Sequence, residues 1–285
     1  MKKVVIEAPA KINLTLGVKR KRADGYHEIE SVMHHINLLD RVHMKMKSEE
    51  GITVNSDSRL IPEDKNNLAY QAAELILGKN GLKEGVEIFI EKRIPVGAGL
   101  AGGSTDAAAV LRGINSLMGL GLERDALMEL GAELGSDVPF CLMDGSALAR
   151  GRGELLTPLP KTTEMQIVLV KPDFQLSTAQ VYGGLVLEKV RRFPDIGAFL
   201  AAWTNYDIIN IAREMENVLE TVSIEKCPQI AVIKRELIQL GALNALMSGS
   251  GPSVFAVFAE EEKAAYAYHK LKSCYQEAYL LRSYY

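Results

Sequence analysis

A glycine-rich segment, PVGAGLAGGSTDAAA from Pro95 to Ala109, constrains the fold of this chain more than any other part of its sequence. The apolar-rich run Val86 to Glu91 before it predicts a strand, and the apolar spacing from Ser104 to Met118 predicts a helix. Such a loop presents unpaired backbone N–H groups at the positive end of the helix dipole, and its glycines leave room for phosphate. The alternative is a flexible turn before a helix capped by Ser104. One turn rarely needs four glycines in seven residues, so phosphate binding is favoured.

Two known phosphate-loop patterns fit this segment only in part. Gly97, Gly102 and Ser104 match the Walker pattern G-x-x-x-x-G-K-[ST], but Gly103 stands where the lysine should be. A P-loop NTPase is therefore excluded. The G-x-G-x-x-G pattern also fits, but a proline intervenes after the strand and the next segment predicts another helix. A dinucleotide fold remains the alternative to a loop that takes its cations from elsewhere in the chain.

Bulk properties narrow the class of protein. The 285 residues exceed what one core usually holds, so we expect two domains. A formal net charge of −3 gives no electrostatic case for a nucleic-acid partner. The three cysteines are far apart and lack C-x-x-C spacing, so neither a disulfide framework nor a cysteine metal site is expected. This pattern is typical of a protein in a reducing cytoplasm. The uncharged run from Leu237 to Ala259 has a polar, glycine-broken centre, so no membrane partner is expected.

The predicted elements divide the chain into an N-terminal domain, residues 1–159, and a C-terminal domain, residues 160–285, with Pro158 to Pro160 as linker. The N-terminal domain is predicted as a mixed sheet with helices and the phosphate loop. Its strands are Lys3 to Ile6, Lys11 to Val18, Glu28 to Leu39, Arg41 to Lys47 and Val86 to Glu91, and its helices are Asn67 to Leu77, Ser104 to Met118 and Glu123 to Leu134. The C-terminal order β-α-β-β-α-β with extra helices predicts a ferredoxin-like domain. The fold class is therefore α+β.

Three sites outside the glycine segment carry candidate chemistry. Apolar residues alternate along the strand that begins at Lys11, which places Lys11 on the face opposite them. Lys11 is then either a solvated charge on an edge strand or a cation that faces phosphate. Tyr26 and His27 come directly after an Asp-Gly turn. They either begin a half-buried strand or form an aromatic platform for a base. Asp137 follows a helix and precedes Pro139, which is typical of a turn acid and compatible with a catalytic one.

Six motifs considered together indicate a family. PVGAGLAGGST and the C-terminal SGSGPSVF, at Ser248 to Phe255, resemble the two glycine loops of the GHMP small-molecule kinases. APAKINLTL, DGYHEIESVM, GSDVPF and STAQVY resemble, more narrowly, the members of that family that act on a cytidine-diphosphate conjugate of methylerythritol. The motifs run in order from residue 8 to residue 255, which is nearly the whole chain.

The resemblance implies ATP-dependent phosphorylation of the methylerythritol 2-hydroxyl, a step of the non-mevalonate isoprenoid precursor pathway. It implies Lys11 and Asp137 as the catalytic pair, Asn13 beside the substrate alcohol, and ATP accompanied by Mg²⁺ with no protein ligand assigned. Phosphoryl transfer mainly needs positioned groups and neutralised charge, so a lysine cation and an aspartate proton acceptor suit it. The oligomeric state is left open between a monomer and a weak homodimer.

The resemblance also assigns the two binding sites. Tyr26, His27 and Tyr182 fall where the family holds the cytosine, and Lys92 and Asn67 fall near the adenine. The residues implied for the ATP loop are Pro95, Val96, Gly97, Ala98, Gly99, Leu100, Ala101, Gly102, Gly103, Ser104 and Thr105. Among them Ala101 departs from the glycine common at its position. Two other classes stay open, a dinucleotide-dependent oxidoreductase and a non-catalytic nucleotide-binding protein.

Overall fold

The computed structural model describes residues 2–285, and its contacts divide the chain into two compact units. Unit 1 comprises residues 2–10, 38–96 and 101–144, and unit 2 comprises Lys11–Asn37, Gly97–Leu100 and Gly145–Tyr285. These boundaries differ from the predicted 1–159 and 160–285, and the linker expected at Pro158 to Pro160 begins inside a strand. The domain boundary remains a prediction.

Two long strands run through both units, β1 (Lys3–Lys21) and β2 (His27–Lys47). The predicted breaks within them are wrong. Strand β8 (Glu216–Asn217) pairs with β1 only at Thr15 and Leu16, so Pro9 lies outside that pairing and its missing N–H removes no hydrogen bond to β8. Asp40 continues β2 because its carboxylate accepts backbone hydrogen bonds from a neighbouring segment instead of forming a turn.

Unit 1 is a mixed sheet covered by helices. Strand β3 (Ile52–Ser56) is parallel to β4 (Gly85–Glu91), and β4 is antiparallel to the last part of β2. Its helices are α1 (Leu68–Lys79), α2 (Gly102–Met118), α3 (Arg124–Leu134) and α4 (Val138–Cys141). A Cβ at Gly113 would collide with the side chain of Met44, so this glycine lets α2 lie close against β2. That close approach sets the position of α2 on the sheet.

Unit 2 contains a four-stranded antiparallel sheet in the order β11-β7-β10-β9. The strands are β7 (Gln166–Lys171), β9 (Asn244–Met247), β10 (Val254–Phe258) and β11 (Glu277–Arg282). The helices are α5 (Thr178–Gly183), α6 (Ile196–Thr204), α7 (Ile208–Glu214), α8 (Glu220–Lys226), α9 (Gln229–Gln239) and α10 (Glu261–Lys272), with a 3₁₀ turn at Leu187–Lys189. With α9 and α10 as crossovers, the β-α-β-β-α-β order confirms the predicted ferredoxin-like arrangement.

The rest of unit 2 refines the predicted elements. Strand β5 (Ser146–Gly151) pairs with the first part of β2 and with β6 (Leu155–Leu159). Helix α7 ends at Glu214, because Met215 is extended and the next two residues form β8 beside β1. Within residues 2–285, no helix combines the length and apolar character needed to cross a membrane.

Candidate active site

Helix α2 begins at Gly102, two residues before the predicted start. Its N-cap, Ala101, is left-handed with φ 58° and ψ 29°, and no side chain caps the helix. The first turn therefore presents backbone N–H groups that have no intrahelical partner, which is the arrangement that binds anions. The left-handed backbone also explains why glycine would be easier than alanine at position 101.

The two adjacent glycines of this turn have different surroundings. A Cβ on Gly102 would lie 3.1 Å from Lys92 Nζ and 3.2 Å from Ile94 Cγ2, so a side chain there would press against the interior of unit 1. Gly103 is exposed, and a Cβ there would meet only Leu68 Cδ1 at 3.6 Å, an ordinary contact. The open face of the turn is therefore at Gly103.

The first half of the glycine segment, Gly97–Leu100, contacts the second small-residue loop within unit 2. Ser248 Oγ donates to the carbonyl of Gly99 at 2.9 Å, and a Cβ on Gly99 would collide with the Ser248 carbonyl. Asn217, which sequence reasoning missed, donates from Nδ2 to the carbonyls of Met247 and Gly249, both at 2.8 Å. The two glycine loops therefore lie against each other, and Asn217 in β8 braces the second one.

Lys11 begins a buried hydrogen-bond chain in unit 2. It is only 4% exposed, and its Nζ donates to Asn13 Oδ1 at 2.8 Å. Asn13 donates from Nδ2 to Ser31 Oγ at 2.8 Å, and Ser31 Oγ donates to the Thr15 carbonyl. The backbone N–H of Lys11 donates to the Leu100 carbonyl at 3.2 Å, which ties it to the glycine segment. A solvated edge charge is therefore the wrong interpretation of Lys11; it is a cation held at a set position.

The aromatic residues assigned to the cytosine also lie in unit 2. The His27 and Tyr182 rings have centroids 5.2 Å apart with a tilt of 34°. Burial, with a smaller contribution from Lys21, lowers the pKa of His27, which favours the neutral ring. Tyr26 is 55% exposed, and the Arg152 guanidinium lies 5.0 Å from its ring centroid. The paired His27 and Tyr182 rings and the exposed Tyr26 ring each offer an aromatic face that can stack on a planar base.

Asp137 lies in unit 1 at the N-cap position of α4 and is half-buried. Its backbone carbonyl accepts from Cys141 N at 3.2 Å, but its side chain makes no capping hydrogen bond. The ordinary N-cap role of a turn aspartate is therefore not the one its carboxylate performs.

Asn67 and Lys92, assigned to the adenine, both have structural partners in unit 1. Asn67 caps α1, as predicted: its Oδ1 accepts from Ala69 N at 2.9 Å, and its Nδ2 donates to the Pro62 carbonyl at 2.7 Å. Lys92 Nζ donates to Asp40 Oδ2 at 2.6 Å and to Asp106 Oδ2 at 2.7 Å. Their contact with ATP remains a prediction.

Sequence reasoning missed both carboxylates that bind Lys92. Asp106 could have been found, because it precedes Val110 and Leu117 at helical spacing and so falls on the apolar face of α2, where a charge needs a partner. Asp40 stood between two predicted strands, where an aspartate usually means a turn.

The predicted site residues are therefore grouped by unit. Unit 2 contains Lys11 and Asn13, the aromatic residues and the segment Gly97–Leu100, whereas unit 1 contains Asp137, Lys92, Asn67 and the start of α2. Across the described chain, no group of three or more His, Cys, Asp or Glu side chains is arranged to hold a metal ion.

Comparison with protein families identifies two domains in order. Residues 67–145 match the GHMP kinases N terminal domain, and residues 199–277 match the GHMP kinases C terminal domain. The first match includes the glycine segment and Asp137, and the second includes the Ser248 loop. The dinucleotide-binding fold considered from the sequence is therefore wrong.

Individual proteins resemble the chain over its whole length. A 4-diphosphocytidyl-2-C-methyl-D-erythritol kinase from Syntrophomonas wolfei is 64% identical, with 99% of this chain and 98% of that protein aligned. The kinase of the same name from Alkaliphilus oremlandii is 45% identical over 100% of this chain and 98% of its own. A crystal structure of 4-(cytidine 5'-diphospho)-2C-methyl-D-erythritol kinase, 33% identical, superposes with a TM-score of 0.84 over 98% of this chain and 99% of that chain. A homoserine kinase from Cytophaga hutchinsonii, 22% identical with a TM-score of 0.81 over 99% of this chain and 95% of its own, shares the fold alone.

Proposed function

We infer that this chain, which belongs to the 4-diphosphocytidyl-2-C-methyl-D-erythritol kinases of the GHMP kinase family, transfers the γ-phosphoryl group of ATP to the 2-hydroxyl of the methylerythritol moiety. The new O–P bond forms at the alcohol oxygen, the bond to ADP breaks, and the alcohol proton must be accepted. The observation that carries this proposal for the chain itself is the uncapped start of α2, because it offers backbone donors to phosphate without a Walker lysine.

Lys11 supplies the missing cation in this proposal. Its ammonium is buried and held by Asn13, so it can neutralise charge on the transferring group without first losing side-chain freedom. Asn13 uses Oδ1 for Lys11 and Nδ2 for Ser31, which supports a positioning role next to the alcohol.

Asp137 acts as the proton acceptor. The absence of a capping hydrogen bond from its carboxylate and its place before the short helix α4 support a role other than stabilising that helix. In a loose phosphoryl transfer the proton leaves late, so this group can both position the alcohol and accept its proton.

The cytosine is held by Tyr26, His27 and Tyr182. The contact between the His27 and Tyr182 rings supports a stacking platform, and the neutral state favoured for His27 leaves one ring nitrogen as acceptor and one as donor for the base edge.

ATP enters as its Mg²⁺ complex, with the protein providing the loop backbone, and Gly103 is the position where phosphate approaches most closely. Direct contact of Lys92 and Asn67 with the adenine is part of the same proposal. A cytoplasmic location rests on the three free thiols, Cys141, Cys227 and Cys274, which suit a reducing compartment.

Replacing Asp137 tests the mechanism. Asp137→Asn keeps the shape but cannot accept the proton, so kcat should fall by about 10²–10⁴-fold while both KM values stay within a few-fold. ADP release with the cytidine-diphosphate conjugate measures this. Asp144→Asn is the matched control, since Asp144 is exposed and pairs only at the surface with Arg124.

Two outcomes would contradict the assignment. An Asp137→Asn enzyme that keeps more than about a third of wild-type kcat has lost no base. A wild-type protein that binds ATP but releases no ADP with this substrate would be a nucleotide-binding protein and not the proposed kinase.

A further inference from the structure

A buried cluster of three charged side chains lies directly beneath the start of α2. Lys92 Nζ lies 2.6 Å from Asp40 Oδ2 and 2.7 Å from Asp106 Oδ2. The side chains of Lys92, Asp40 and Asp106 are 5%, 0% and 3% exposed. The surrounding structure must hold the geometry of such buried ion pairs, because a buried charge that loses its partner is strongly destabilising.

The cluster joins three elements of unit 1. Asp40 lies in β2, Lys92 follows β4 directly, and Asp106 lies in α2. Asp40 Oδ1 also accepts the backbone N–H groups of Arg93 at 2.5 Å and Ile94 at 2.8 Å. Asp106 is thus the member through which the sheet holds the helix.

The ammonium of Lys92 also lies against the first residue of α2. A Cβ on Gly102 would lie 3.1 Å from Lys92 Nζ, so the ammonium packs beside Gly102 and leaves little room for a side chain there, next to the open face at Gly103. Lys92 therefore lies beneath the turn proposed to bind phosphate and bonds Asp106 in the same helix.

The cluster holds two carboxylates but one cation. Burial raises the pKa of Asp106, and the nearby charge of Asp40 raises it further, while the ion pair with Lys92 lowers it. Burial alone would lower the pKa of Lys92, but the two carboxylates outweigh this effect and raise it. Asp106 Oδ1 is buried without a hydrogen-bond partner. Asp106 therefore gives Lys92 a hydrogen bond, but one cation cannot balance the charges of both carboxylates.

We propose that Asp106 is a positioning residue for ATP: its hydrogen bond with Lys92 fixes the first turn of α2, and with it the phosphate-binding backbone. This rests on the proposed ATP-binding role of that turn. The hydrogen bond, and not the charge of Asp106, is what nucleotide binding requires, since an extra negative charge beneath the turn repels phosphate.

Two substitutions separate the hydrogen bond from the charge. Asp106→Ala removes both, so KM for ATP should rise about tenfold. Asp106→Asn keeps an oxygen that accepts from Lys92 and removes the charge, so KM for ATP should equal the wild-type value or fall by up to about threefold. In both variants, KM for the cytidine substrate and kcat at saturating ATP should stay within about twofold of wild type.

Asp57→Ala is the matched control. Asp57 accepts from the backbone N–H of Lys92 at 2.8 Å and from Arg93 Nη1 at 2.9 Å, so it contacts the same segment from its exposed side. It should leave all the kinetic constants unchanged. ATP affinity measured by equilibrium dialysis without the second substrate, and thermal unfolding without nucleotide, complete the comparison.

Three results would overturn the inference: unchanged ATP affinity in a folded Asp106→Ala enzyme, an Asp106→Asn enzyme as impaired as Asp106→Ala, or equal losses for both substrates. If Asp106→Ala does not fold, Asp106→Ser, whose hydroxyl is too short to reach Lys92, carries the same expectations. An inactive wild-type protein that binds ATP with this pattern would reject the proposed kinase activity and leave the positioning role standing.

Discussion

Each unit buries a polar cluster around a titratable side chain. The central side chain is charged in unit 1 and neutral in unit 2. In unit 1, Lys92 lies between two carboxylates and remains an ammonium. In unit 2, His34 is fully buried between Ser146 Oγ, 2.6 Å from Nδ1, and Ser283 Oγ, 2.9 Å from Nε2. Desolvation lowers the pKa of His34 to about 3, so that ring is neutral.

The difference lies in the partners and not in burial. Hydroxyls and the neighbouring rings of Trp203 and Tyr285 offer His34 no counter-charge, whereas Asp40 and Asp106 compensate the desolvation of Lys92. The neutral cluster joins the end of β11 to the chain before β7, because Ser283 Oγ also accepts from Met165 N at 3.0 Å. A charge is retained beside the turn proposed to bind phosphate, and a neutral ring is sufficient where the cluster only ties strands together.

The two clusters also respond to pH with opposite sign. The folded pKa of Asp106 is above its unfolded value, so its contribution to the free energy of unfolding is present at low pH and is lost as pH rises through the folded pKa. The folded pKa of His34 is below its unfolded value, so its contribution is present at high pH and is lost as pH falls.

Removing the cation should break the charged cluster and give the largest effect on stability. Lys92→Met leaves two carboxylates buried without their partner, so the free energy of unfolding in urea at pH 7 should fall by about 3–5 kcal/mol. Lys45→Met is the matched control. Its ammonium is exposed and lies 3.7 Å from Glu87, so the loss there should stay below about 1 kcal/mol. If Lys92→Met lowers the free energy of unfolding no more than Lys45→Met does, the three buried side chains do not stabilise the fold through their charges.

The contrast between the clusters also shows what the sequence could predict. Periodicity predicted α2, α3 and the ferredoxin-like order of unit 2, because those elements bury one face and their apolar residues recur at 3.6 or 2 residues. The glycine segment predicted the open helix start, since the glycines are required by local backbone geometry, as the positive φ of Gly97 and Gly99 shows.

Partners far apart in the chain were not predictable in the same way. Asp40, Lys92 and Asp106 are joined only by the pairing of β2 with β4 and the packing of α2, and His34 meets Ser283 only because β11 ends beside it. No local sequence pattern links any of these residues to its partner. The resemblance to a family supplied Lys11 and Asp137 by position, but the buried hydrogen bond between Lys11 and Asn13 appears only in the folded chain.

Lowering the pH should reduce the contribution of the neutral cluster to the free energy of unfolding, by less than the loss expected for Lys92→Met. With a pKa of 6.5 unfolded and about 3 folded, His34 alone should lower the free energy of unfolding by about 2 kcal/mol between pH 7 and pH 5. His34→Gln does not titrate, so its loss over that interval should be about 2 kcal/mol smaller than the wild-type loss.

The exposed His269→Gln is the control for this pH series, because it removes a histidine without touching the cluster. It should keep the wild-type slope of unfolding free energy against pH. If His34→Gln has the same slope as the wild type, His34 takes up a proton in the folded state and the contrast with Lys92 disappears.

The smallest effect should come from the backbone beside the charged cluster. Among the described residues, Ala101 and Tyr206 are the non-glycine residues with positive φ, 58° and 59°. Glycine relieves about 1 kcal/mol of left-handed strain at either site but makes the unfolded chain more flexible, so each variant should be stabilised by at most about 1 kcal/mol. Ala101→Gly tests the loop, and Tyr206→Gly, at an exposed tyrosine, is the control.

ATP affinity decides what the strain at Ala101 means. If Lys92 and Asp106 hold the first turn of α2 from below, then relaxing the residue before it should leave KM for ATP within about twofold of wild type, as for Tyr206→Gly. A rise of about tenfold in Ala101→Gly alone, in a protein at least as stable as the wild type, would instead mean that the left-handed residue positions the phosphate backbone. The buried charges would then serve only the stability of unit 1, as the His34 cluster serves that of unit 2.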